Sequence, residues 1–200
     1  MITPHVLTRI EHYTGIVTPT TSAKGISLIK QVKIYLFNRM QYAKLLNTEE
    51  FYANRFIVSN IVSSILENPF VKNMRSGNHI ENAYQHWTES RYDLECSCKV
   101  DYMNNTGIID IRLTSCTSLS EFITQCNAYK YHRHAAFVSD GLNKSNYIVV
   151  GINKKKFNTF TVNLSMTGLI QEGRTEYEEI IDKFLCLDEV QRDSILETTF

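Results

Sequence analysis

From Cys96 to Thr114 the chain runs CSCKVDYMNNTGIIDIRLT. Its first part, extended back to Leu94, alternates in polarity with the two-residue period of a strand through Met103. The isoleucine-rich run at 108–114 is a second strand, and NNTG at 104–107 is a turn signal between the two. The pair is expected to close as a hairpin. Strand side chains alternate faces, so Lys99 points with Asp101, and Asp110 points with Arg112. A short hairpin then brings Asp101 and Asp110 near each other, where two carboxylates repel unless a cation or a proton sits between them. Joined by a third acid from a helix, they make an oxygen-rich site of the kind that suits Mg2+ or Mn2+. The bland meaning of Asp-x-Arg on a strand is an edge salt bridge, and geometry alone favours it.

Outside this stretch the period is mostly helical. Leu28, Val32, Tyr35 and Leu36 predict a helix over 27–40, after the turn-rich TPTTSAKG at 18–25. A second helix is expected over 49–66, stopping at Asn68-Pro69, where the proline restricts its predecessor. A third is expected over 78–87, following Gly77. After the hairpin, 119–137 returns to helical spacing. NYIVVGI (146–152) and FNTFTVNL (157–164) form another strand pair across the run Lys154, Lys155, Lys156. RTEYEEIIDKFLCL (174–187) closes the chain as a helix. This order describes an α/β or α+β domain with a central mixed β-sheet flanked by helices.

Composition narrows the function classes. A chain of 200 residues suits one compact domain, and its three prolines all precede residue 70, so nothing marks a linker. No run approaches the roughly 18 apolar residues of a membrane span. The N-terminus carries His, Arg and Glu where a signal peptide has an apolar run, so a cytoplasmic location is expected. The five cysteines, with Cys96 and Cys98 as C-x-C, follow neither a disulfide framework nor the paired spacing of a zinc site. They are expected to be reduced and mostly buried. A formal net charge of zero argues against a strongly basic, non-specific nucleic-acid binder. Positive charge is nonetheless uneven, with Lys24, Lys30, Lys33, Arg39 and Lys44 in one segment and Lys154 to Lys156 in another. A local basic groove and a solvated face are both open, the second being the ordinary meaning.

Several short motifs then recur in a telling order: Trp87-Thr88 before the first strand, CSCKVD with Asp101, IIDIRLT with Asp110 and Thr114, YKYHRHAAF at 129–137, and Gly173 with Tyr177 in the last helix. From Trp87 to Leu187 the chain resembles the exonuclease VIII (RecE-type) branch of the PD-(D/E)xK nucleases. The resemblance implies a restriction-endonuclease-like core over 77–187 behind a helical part at 1–76, within a single domain 1–200. It implies a Mg2+-dependent (or Mn2+-dependent) deoxyribonuclease, an exonuclease of phage-type recombination or DNA processing, with water as the nucleophile. Asp101 and Asp110 fall on the metal ligands. Gly77-x-x-x-Glu81 resembles the element that carries a helix-borne third ligand, with Glu81 the first choice and His79 the fallback. DNA is the implied partner; a homo-oligomeric ring and a recombination partner protein follow from the family, and a membrane does not.

The departures from the family pattern bear on activity. Arg112 stands where the family has lysine, His134 where it has glutamine, and Val100 where it has proline. Arginine is a bulkier fork with a charge it cannot shed. Three readings stand. Arg112 substitutes for the lysine; or Lys99, on the face of Asp101, supplies the ammonium; or the acids persist without turnover, in a pseudonuclease that binds DNA or a recombination partner. Lys154, Lys155 and Lys156 are candidate DNA contacts. Tyr129, Tyr131, His132 and Arg133 are candidates to line a DNA path, although packing and exposure account for such residues equally well.

Overall fold

The computed structural model describes residues 1–13 and 23–197. Of the turn-rich stretch at 18–25, residues 18–22 fall outside them, as does the side chain of Lys24, and 23–25 already belong to a helix. The chain is α+β, built on one five-stranded mixed sheet whose spatial order follows the sequence. Strands β1 (Ile80–Glu89), β2 (Leu94–Met103) and β3 (Gly107–Thr114) are successively antiparallel. Strand β4 (Asn146–Asn153) runs parallel to β3 along its whole length, and β5 (Thr159–Asn163) returns antiparallel. A parallel neighbour needs a crossover. Here α6 (Leu119–Ala128) and α7 (Tyr131–Gly141) supply it. Both faces of β3 and β4 are buried, which is why their sequences read as nearly unbroken apolar runs.

The 78–87 segment is a correction. Ile80, Tyr84 and Trp87 recur at helical spacing, yet residues 80–89 form β1, paired with β2 from Ile80↔Met103 to Glu89↔Leu94. Strand β1 is an edge strand with intermediate and exposed positions alternating through most of its length. The backbone partners offered by β2 outweigh a local pattern compatible with either state. The helix expected over 119–137 is also two helices. Lys130, in the left-handed region at φ 55°, turns the chain between α6 and α7.

Helices cover both faces of the sheet. On one side α1 (Pro4–Tyr13), α6, α7 and α8 (Leu169–Leu185) bury Val6, Ile10, Phe122, Phe137, Ile181 and Phe184 against Cys96, Cys98 and Val149. Helix α9 (Glu189–Glu197) follows, so the chain does not close on the helix expected at 174–187. On the other side α2 (Ala23–Phe37), α3 (Arg39–Leu45), α4 (Glu49–Glu67) and α5 (Pro69–Arg75) pack Val32, Ile61 and Ile65 over Ile109, Ile111 and Val150. The helix expected over 27–40 ends at Phe37, because the Asn38 side chain accepts from Gln41 N and caps α3. Asn68-Pro69 ends α4 as expected and also starts α5. The Asn68 carboxamide accepts from Phe70 N and Val71 N, with proline at the first helical position.

Candidate active site

Strands β2 and β3 pair only at their tip, Met103↔Ile108 and Tyr102↔Ile109. The next step of that register sets Asp101 opposite Asp110, and there the strands part. The Asp101 carboxylate enters the gap, and its Oδ2 accepts the Ile111 N–H at 2.8 Å in place of a backbone carbonyl. Its Oδ1 lies 2.7 Å from Lys33 Nζ, which reaches down from α2. Burial pushes the Asp101 carboxyl up, with Lys33 opposing and the charge of Asp110 reinforcing.

Asp110 is gripped on the other side. Its Oδ2 accepts Nε and Nη2 of Arg112 at 2.9 and 2.6 Å, and the Tyr147 hydroxyl at 3.3 Å. Burial would raise this carboxyl too, but the cations around it, Arg112 foremost, hold it below the usual carboxylate range. The two acids are thus pushed in opposite directions, a division that separates acid from base in many hydrolytic sites. Burial works to lower the Arg112 guanidinium, and the Asp110 charge outweighs it, so Arg112 stays cationic. The Tyr131 ring lies 5.0 Å from the guanidinium carbon, and His134 Nδ1 lies 3.4 Å from Nη2. Burial pushes the His134 imidazole down to about 4, leaving it neutral near pH 7 with Nδ1 as the acceptor. Asp-x-Arg is therefore a salt bridge, but one in the interior and not on an edge.

The other candidates scatter around this pair. Lys99 is exposed, 5.4 Å from the Tyr84 ring centre, and lines two clefts of about 620 and 480 Å3. Arg112 also lines both, so the two clefts meet over the parted strands. Lys30 and Lys33 line the smaller one and Lys130 the larger. Glu81 sits on strand β1, not on a helix; it is exposed, 3.6 Å from His79 Nε2. Its neighbour Asn82, at φ 50°, lines the smaller cleft in its place. Arg133 is buried and ion-paired with Glu11 of α1 at 2.6 Å, so its guanidinium ties two helices together. Lys154, Lys155 and Lys156 form the turn between β4 and β5, where Asn153 Oδ1 accepts from Lys155 N and Lys156 N. Thr114, at the end of β3, accepts from Cys116 N and donates to Gln125. All five cysteines are free, and Cys96, Cys98 and Cys126 are buried.

Sequence reasoning placed Lys33 only in a basic segment and overlooked Tyr147. Lys33 lies 68 positions before its partner Asp101, and nothing local distinguishes it from the lysines beside it. Tyr147 had a better signal, because a tyrosine inside an otherwise apolar buried strand needs a partner for its hydroxyl.

Five strands in this order, with a crossover between β3 and β4 and acids on β2 and β3, define a restriction-endonuclease-like core. No family model matches the chain, and no curated protein matches it significantly. Among solved structures, it superposes with a TM-score of 0.61 on a crystal structure from Eubacterium rectale described as "Putative exonuclease". The identity is 14%, over 87% of this chain and 72% of that one, and the likeness shows a common fold. An alkaline exonuclease from Laribacter hongkongensis aligns at 12% identity over 91% of this chain and 86% of that one. Its TM-score of 0.41 is too low to carry an argument.

Proposed function

We propose that this chain is a nuclease that hydrolyses phosphodiester bonds in DNA with the help of a divalent cation. The observation that carries this reading is the pair of buried carboxylates, Asp101 and Asp110, at the point where β2 and β3 part beneath two clefts. The donor set suits a hard ion such as Mg2+ or Mn2+, which is commonly held by one or two carboxylates and keeps several waters. Asp101 and Asp110 would hold it. When bound, such an ion supplies an acidified water and charge neutralisation at phosphate.

The chain's own part is electrostatic. Lys33 has a compact ammonium on a flexible stem, with its side chain 31% exposed, and it can exchange Asp101 for a phosphate oxygen. Lys99, exposed on the cleft wall beside the Tyr84 ring, is placed to hold the next phosphate. Arg112 is held in place by Asp110 and Tyr131, and so shapes the acid's charge more than it reaches for substrate. Lys33 thereby fills the place for which Arg112 and Lys99 were the sequence candidates.

One observation favours a second reading, a protein that engages DNA without cutting it. Lys33 and Arg112 together bring two positive charges to the two acids, the same charge as one divalent ion. Incubation of the pure protein with linear duplex and single-stranded DNA, with Mg2+ or Mn2+, separates the two. The nuclease reading expects metal-dependent degradation that falls at least about 100-fold in Asp110→Ala. Equal inertness of wild type and variant, with DNA binding retained, would establish the second.

A further inference from the structure

A second polar cluster lies between α7 and α8, apart from the acid pair. His132, Glu172 and Glu176 place one ring nitrogen and two carboxylate oxygens within 4.8 Å of one another. Glu172 and Glu176 are four residues apart on α8 and share a helix face. His132 comes from the first turn of α7. The two helices approach closely there because residue 173 is glycine; a Cβ would collide with the His132 carbonyl.

The hydrogen bonding of this cluster is incomplete. His132 is 2% exposed, and among the described residues neither of its ring nitrogens has a hydrogen-bond partner. Its Nε2 stands 3.4 Å from Glu176 Oε1 without the geometry of a hydrogen bond. Lys130 Nζ holds that Oε1 at 2.6 Å, while Glu176 Oε2 is buried with no hydrogen-bond partner among the described residues. Buried imidazoles and carboxylates are nearly always satisfied, so the two His132 nitrogens and Glu176 Oε2, each short of a hydrogen-bond partner among the described residues, leave room for a ligand at this cluster. Glu172 is exposed and gives the cluster access to solvent.

We propose that His132, Glu172 and Glu176 form a binding site for a divalent transition-metal cation of the Zn2+ type, clasping α7 to α8. One imidazole and two carboxylates are a donor set that Zn2+ accepts, with water in the remaining position. Mg2+ and Ca2+, which prefer oxygen throughout, are poorer occupants. The proposal does not rest on the nuclease reading. Its consequence for the molecule is mechanical: the same turn of α7 carries Tyr131 and His134, which pack around Arg112, so an ion here braces one wall of the candidate active site.

The test uses the full chain, stripped of metal with a chelator and titrated with Zn2+ in a calorimeter. One Zn2+ bound at this cluster is expected, besides any ion taken up by the acid pair, together with a higher melting temperature and a shift of the His132 ring nitrogens in 15N spectra. Glu172→Gln, an exposed and nearly isosteric change that leaves the fold intact, is expected to weaken binding at least about tenfold. Asp110→Ala is expected to leave that binding unchanged, which separates this site from the acid pair. Absence of saturable binding overturns the proposal. So does binding that Glu172→Gln leaves intact, or that Asp110→Ala abolishes.

Discussion

Arg112 stands where the resemblance to the nucleases leads one to expect a lysine, and the local geometry says what an arginine does there. The guanidinium makes two hydrogen bonds to one oxygen of Asp110 and lies against Tyr131. A lysine could make only one such bond and would leave the carboxylate freer to take an ion. Arg112→Lys is therefore expected to raise metal-dependent DNA cleavage by about tenfold, on the order of 1.4 kcal/mol in the barrier. Initial rates on linear duplex at saturating Mg2+ check this, and a fall in rate would count against it. His134 offers a second handle. Burial pushes its imidazole down to about 4, against about 6.5 in the unfolded chain. The unfolded chain takes up that proton first, so the contribution to stability is full above about pH 6.5 and is lost as the pH falls toward 4. In chelator, wild type is expected to lose about 3 kcal/mol more than His134→Gln across that window. Urea melts at the two ends of the window measure the difference.

Among the elements, the first turn of α7 is the most heavily committed. Tyr131 and His134, three residues apart, face Arg112; His132 faces Glu176 of α8; Arg133 reaches Glu11 of α1. Four consecutive side chains thus fix this helix to three neighbours, and the left-handed Lys130 sets the angle at which it enters. The contact with α8 depends on Gly173. A glycine inside a helix ordinarily costs about 1 kcal/mol relative to alanine. Here the added Cβ would meet the His132 carbonyl, and overpacking typically costs about 1–3 kcal/mol. Gly173→Ala is expected to destabilise the chain on balance, lowering its melting temperature by a few degrees, where an exposed helical glycine would raise it. Calorimetry of the two proteins decides the sign.

For the whole molecule, the charge sums to zero while the clefts over the acids gather Lys30, Lys33, Lys99, Arg112 and Lys130. Among the described residues no helix is long and apolar enough to cross a membrane. The lysine turn lies farther along the same sheet. Lys154 is five residues beyond Val149, the partner of Asp110, or about 17 Å at the rise of a strand. A nucleic-acid strand crossing the acids would meet this turn two or three phosphates later if its path follows β4. Each phosphate neutralised adds about 0.7–0.9 to the salt slope of binding. Replacing Lys154, Lys155 and Lys156 together by alanine in an Asp110→Ala background is expected to flatten that slope by about two. Fluorescence anisotropy over a salt series reads it, and an unchanged slope removes the lysine turn from the DNA path.

The sequence by itself determined the hairpin, the second strand pair, the α4 stop at Asn68-Pro69 and the two acids, because each rests on local signals: a two-residue period, a turn run, a proline. It could not assign residues 80–89, whose spacing of Ile80, Tyr84 and Trp87 serves a helix and an edge strand alike until β2 is there to pair with. Nor could it assign partners. That Asp101 is met by Lys33, Asp110 by Tyr147, and Arg133 by Glu11 depends on which helix lies over which face of the sheet. Ion pairs and hydrogen bonds of this kind act across space at a few ångströms, and the chain distance between the partners carries no trace of it. The two carboxylates were legible from the start, and so was Arg112 beside Asp110 on the same strand face; only the packing of α2 over the sheet decided that Asp101 would meet a cation as well.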